Sequence, residues 1–187
     1  MNRSIVRRFV FPFAQWFALM FIIAIAIDYV LHRFNSESAG RYLGYAGTLV
    51  IAVSFVYSLR KRKVIRFGSP RNLLVMHEYM AWAGSVMILV HAGIHFNALL
   101  PWLAVLMLLI AVASGLIGKF LLKKSVEALR EKVQAEMKTG ITKEEAEKKL
   151  FMDSLTVDLM MMWSTVHMPI TLPLALLVIL HIITIVM

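Results

Sequence analysis

Cysteine is absent from the 187 residues. That excludes disulfides, thiolate-held iron–sulfur clusters and covalent haem attachment through Cys-x-x-Cys-His. Any metal or cofactor must be held by His, Met, carboxylate or backbone groups. Acidic residues are scarce, 11 Asp and Glu against 20 Lys and Arg, for a formal net charge of +9. Such an excess can serve nucleic acid, but here the basic residues flank apolar spans, as membrane orientation requires, and no nucleic-acid partner is expected. A dinucleotide fingerprint is also missing. What dominates is apolar: 60% of the chain is hydrophobic, with 13 Met and 11 Phe, too much for a soluble domain of this size.

The expected fold is an all-α membrane bundle with five spans, at about 9–31, 42–59, 72–95, 102–122 and 164–187, forming a single domain over 1–187. The basic start and long first run read as a retained anchor, not a cleaved signal peptide. Asp28 falls near the end of that span, where an acid is either snorkelled to the interface or functional, snorkelling being the expected reading. His32 is expected in the polar loop that follows, without a specific role. Gly40, Gly44 and Gly47 open the second span and admit close approach of a helix or a flat ligand. Only Phe96–Leu100 separates the third span from the fourth, so these two must be antiparallel neighbours. Residues 123–162 are the one long polar segment, expected as a helical hairpin on one membrane face. Thr142-Lys-Glu-Glu145 reads as a capping box opening its second arm.

Eighteen of the 20 Lys and Arg residues fall on one side of this arrangement: three before the first span, six between the second and third, and nine from Lys119 to Lys149. Arg33 and Arg41 fall on the other. The positive-inside rule then gives a cytoplasmic N-terminus and an external C-terminus.

The third span carries His77 and His91, and the fifth carries His167 and His181. Each pair is fourteen residues apart, a rise of about 21 Å that returns to nearly the same helix face. Both spans run in the same direction, so His77 matches His167 in depth and His91 matches His181. A lone histidine in an apolar helix is ordinarily hydrogen-bonded to a neighbour. Two pairs of equal spacing and matched depth suit instead two planar cofactors stacked across a membrane, each held by two imidazoles. The expected cofactors are two b haems, paired His77/His167 and His91/His181. A metal transporter is the competing reading, but transport sites gather their ligands within a few ångströms.

Several neighbours are secondary candidates. Gly84, seven residues from both His77 and His91, leaves room on their face, although helix packing explains one glycine equally well. Arg71 is the best-placed cation for a propionate of the inner haem. His95, one turn beyond His91, lacks a histidine counterpart at Ile185 and is expected near a propionate, a quinone or a partner. Glu78 is either a proton acceptor at a quinol site or an ion-pair partner.

The segments His77-Glu-Tyr-Met-Ala-Trp-Ala-Gly84, His91-Ala-Gly-Ile-His95, His167-Met-Pro-Ile and Val178-Ile-Leu-His181 resemble the membrane b-type cytochromes of the ferric reductase-like and cytochrome b kind, over roughly residues 40–187. The resemblance implies two stacked b haems on the third and fifth helices. Ferric reductases usually add a sixth span and a flavin and nicotinamide domain, which this sequence does not contain. The implied role is that of a di-haem subunit in a prokaryotic inner-membrane redox complex, moving electrons between a quinone pool and a partner protein. A transmembrane reductase of ferric iron or another acceptor, and a haem-free membrane anchor, are the alternatives.

Overall fold

The computed structural model describes residues 10–94, 98–122 and 151–187, together with separate positions between 131 and 145; for 151–166 it describes the backbone alone. Among the described residues six α-helices follow in chain order: α1 (Phe11–Arg33), α2 (Glu37–Ser54), α3 (Val56–Lys61), α4 (Pro70–Ile94), α5 (Leu99–Ile117) and α6 (Phe151–Val186). A π-helical turn, Gly118–Leu122, extends α5. No strand occurs among the described residues. Among the described residues five stretches are long and apolar enough to cross a bilayer: Phe11–Arg33, Ser38–Lys61, Pro70–Gly93, Leu99–Phe120 and His167–Ile185. The chain is an all-α, multi-pass membrane protein.

Local chemistry sets the boundaries. Pro12 lies in the first turn of α1 and Pro70 opens α4, where a missing N–H costs nothing. The connector between α3 and α4 turns at Gly68, whose φ of +79° is a left-handed conformation that glycine adopts without strain. Arg60 Nε donates to the Gly68 carbonyl at 3.2 Å and ties that turn to α3. The second span breaks between Ser54 and Val56, because Ser54 turns its hydroxyl back onto the Ile51 carbonyl at 2.6 Å.

Two expectations about boundaries need revision. His32 is in the last turn of α1, not in a loop, and its Nδ1 lies 2.9 Å from the Asp28 carbonyl oxygen. Residues 151–162, expected in the hairpin, belong to a 36-residue helix continuous with the last span. No Gly or Pro interrupts 151–168, so nothing in the sequence halts a helix there. Pro169 and Pro173 do lie inside α6, yet the helix passes through them. Each proline frees a carbonyl one turn back, which neighbouring groups in a membrane bundle can re-satisfy. The rest of the expected hairpin falls mostly outside the described residues, but its capping box is in view. Glu145 Oε2 accepts the Thr142 N–H at 3.1 Å, and Thr142 Oγ1 accepts the Glu145 N–H at 3.4 Å.

The packed centre joins α1 to α4 through Met20, Ala24, Val86 and Val90. Large apolar side chains elsewhere face outward, such as Ile25, Leu49 and Leu172, where hydrocarbon tails are their solvent. The tightest helix pair is α2 with α4. A Cβ on Gly47 would lie 2.8 Å from the Gly84 carbonyl oxygen, and one on Gly84 would lie 2.9 Å from that of Gly47. The two glycines thus let the backbones touch. α6 packs mainly on α5 and its π turn. Among the described residues α4 and α6 form no packed pair. The two histidine-bearing helices therefore face one another across a gap.

Candidate functional site: two histidine pairs across a split cavity

That gap holds two cavities. His91 and His181 line one of about 780 Å³, and His77 and His167 line the other, of about 440 Å³. Both volumes fall in the range of pockets for organic ligands. Ile51, Phe55, Leu108, Thr171 and Leu174 border both and form the layer between them. The equal fourteen-residue spacings therefore meet as the sequence predicts: the histidines nearer the N-terminal ends of the two spans share one cavity, and those nearer the C-terminal ends share the other.

The α4 histidines are aimed by α2. His77 Nδ1 lies 3.1 Å from the Ser54 carbonyl oxygen and 3.2 Å from its hydroxyl. His91 Nδ1 lies 3.1 Å from the Gly40 carbonyl oxygen. A carbonyl only accepts, so each Nδ1 carries the proton and Nε2 keeps the lone pair. This is how a ligating imidazole is usually oriented. The ring of His77 also stacks on Tyr57, with centroids 5.7 Å apart, and meets the edge of Phe55 at 6.4 Å. A Cβ on Gly44 would come within 2.7 Å of the His91 ring, so only glycine lets this imidazole lie against α2.

Across the larger cavity the His91 and His181 ring centroids are 6.4 Å apart, with the rings inclined at 61°. An imidazole nitrogen is about 1.1 Å from its ring centroid, so two imidazoles on opposite sides of a metal with bonds of about 2 Å have centroids about 6 Å apart. In the smaller cavity His167 Nδ1 is buried and without a hydrogen-bond partner, as is the Ser114 hydroxyl.

The secondary candidates fare differently. Gly84 lines neither cavity; its open side meets Gly47 and Ile51 of α2. The face of α4 that carries His77, Gly84 and His91 is turned to α2, which explains both the glycine and the imidazole hydrogen bonds. Arg71 is exposed and borders neither cavity. The cations that do so are Lys61 and Lys119 at the smaller cavity and Arg41 at the larger. Their positions depend on where the second span breaks and how α5 ends, which hydropathy alone does not report. His95 lies outside the described residues.

Glu78 is an ion-pair partner, its Oε2 3.0 Å from Lys119 Nζ, with each side chain 24% exposed. The ammonium also lies 4.8 Å from the Tyr79 ring centroid and 5.4 Å from that of Trp16, a placement that favours the cation. The π turn brings Lys119 to the cavity wall. At the other end of the bundle the buried Asp28 Oδ1 has no hydrogen-bond partner. A Cβ on Gly93 would lie 3.2 Å from it.

No family model matches the chain, nor does any curated protein or solved structure. Fold and site together define a multi-pass helical membrane protein in which the four described histidines of α4 and α6 border two adjoining cavities.

Proposed function

We propose that the protein is a di-haem b-type cytochrome subunit that carries electrons across a prokaryotic inner membrane, between a quinone pool and a partner redox protein. The observation that carries this reading is the His91/His181 pair, two imidazoles at the separation of axial ligands across a cavity large enough for a macrocycle. The His77/His167 pair lines the neighbouring cavity. Among the described residues no three His, Cys, Asp or Glu side chains converge on one point. Two-histidine sets suit a metal that arrives with its other ligands, as haem iron does, better than a bare cation.

His77 and His167 would hold the inner haem, and His91 and His181 the outer one. A bound haem supplies a one-electron redox centre. The protein supplies the rest. Ser54 and Gly40 fix the tautomer and direction of the α4 imidazoles. Lys61 at the inner cavity and Arg41 at the outer one are the cations available to propionates. Apolar side chains around both sites exclude water and keep the dielectric low. The fourteen-residue spacing sets the distance an electron must travel. With a cytoplasmic N-terminus the inner cavity faces the cytoplasm and the C-terminus is external.

The test is reduction of the purified protein, loaded with haem, by a quinol. Rapid appearance of reduced b-haem bands, abolished when all four histidines are replaced by alanine, is expected. Two haems that dithionite reduces but quinol does not would remove the quinone link and leave a cytochrome fed by another donor.

A further inference from the structure

Three of the polar features at the site are already explained by neighbours: Nδ1 of His77, Nδ1 of His91, and the Glu78–Lys119 pair. Two are not. Nδ1 of His167 and the hydroxyl of Ser114 are both buried without a hydrogen-bond partner, and both residues line the smaller cavity. Ser114 is 3% exposed, so water does not satisfy it from outside. Leaving such groups unpaired costs on the order of 1–3 kcal/mol each. Their positions are complementary. A Cβ on Gly115 would lie 3.6 Å from Cε1 of His167, the ring carbon between the two nitrogens. The stretch 114–115 of α5 therefore lies beside the Cε1 corner of the His167 imidazole. α5 and α6 are packed along this line. The α4 histidines have their Nδ1 groups held by α2, and α5 is the helix in the same position for α6.

We infer that Ser114 is the positioning residue of His167: its hydroxyl accepts from the Nδ1–H through one bridging buried water, and turns Nε2 into the cavity. The inference rests on the haem reading above. A hydrogen bond accepted from Nδ1 raises the basicity of the ligating nitrogen and favours the oxidised metal. Removing it must therefore raise the midpoint potential of the inner haem and leave the outer one unchanged. Loss of the hydroxyl from a merely structural site would not move one potential selectively.

The experiment is a redox titration of the purified, haem-loaded full chain, comparing wild type with Ser114→Ala and Ser114→Thr. The expected result is two haems in every variant, with an upward shift of one potential in Ser114→Ala and restoration of the wild-type value in Ser114→Thr. Unchanged potentials in Ser114→Ala at full haem content would overturn the assignment while leaving the cytochrome reading intact. A wild-type chain that takes up no haem would overturn that reading itself. If Ser114→Ala fails to assemble, Ser114→Thr and Ser114→Gly decide: normal potentials in a stable Ser114→Gly contradict the inference.

Discussion

The two cavities share their histidine spacing and little else. The outer one is larger, and its polar contribution, beyond His91 and His181, comes from Arg41, Tyr45, Thr48 and Thr171. The inner one is little more than half that volume and is crowded by Lys61, Tyr57, Trp16 and the Glu78–Lys119 pair. The outer site is defined by its greater volume and by Gly44, against which the His91 ring lies. The inner site is defined by packed aromatic rings, an ion pair and hydrogen bonds from the break in the second span. A repeat of ligands thus does not imply a repeat of environment, and haems in the two sites should differ in potential.

The sharpest way to break this comparison is at the histidines. His91→Ala or His181→Ala should remove the outer haem and halve the haem content per chain, and His77→Ala or His167→Ala should remove the other. A pyridine haemochrome count with separate redox titration distinguishes the two sets. Loss of both haems from every single variant would mean that the sites are not independent.

Glycine substitutions sharpen the contrast further. Gly44→Leu drives carbon into the His91 ring, where a Cβ alone would already stand at 2.7 Å, and should cost the outer haem while sparing the inner. Gly115→Ala adds a Cβ at 3.6 Å from His167, an ordinary contact, and should leave both haems bound. Equal loss in the two variants would contradict the geometry.

The ion pair is next in size. Lys119→Met leaves Glu78 uncompensated within the membrane, which should cost about 3 kcal/mol of stability. The double change Lys119→Met with Glu78→Met should recover most of it. Thermal unfolding in detergent, compared across both single variants and the double, measures the coupling. The smallest effect is expected outside the bundle, where Thr142→Ala removes one arm of the capping box at a cost of about 1 kcal/mol. Faster amide exchange confined to the following turn is the expected signature.

The spans and the sharing of two cavities by the equally spaced histidines are legible in the sequence, because a bilayer forces long apolar runs and a helix converts residue number into distance. The capping box at Thr142 was readable for the same reason: it depends on residues three apart. What escaped are features fixed by which helix lies beside which. Gly84 suits either helix packing or a ligand until α2 is seen against it. Arg71 precedes His77 by six residues, yet Lys61, ten residues further back, borders the cavity, because the second span ends in a separate short helix. Glu78 found its partner in Lys119 through a π turn that hydropathy does not encode. The last helix starts earlier than the polarity of 151–162 suggests, because helix continuity depends on the absence of breaking residues.

The most direct measurement is a dithionite-reduced minus oxidised absorbance spectrum of the purified wild-type chain with a haem count. Two b haems per chain, falling to one in His91→Ala, is the predicted result. A spectrum without haem bands, in protein that retains its helical content and takes up no added haemin, would contradict the assignment of the four histidines as ligands.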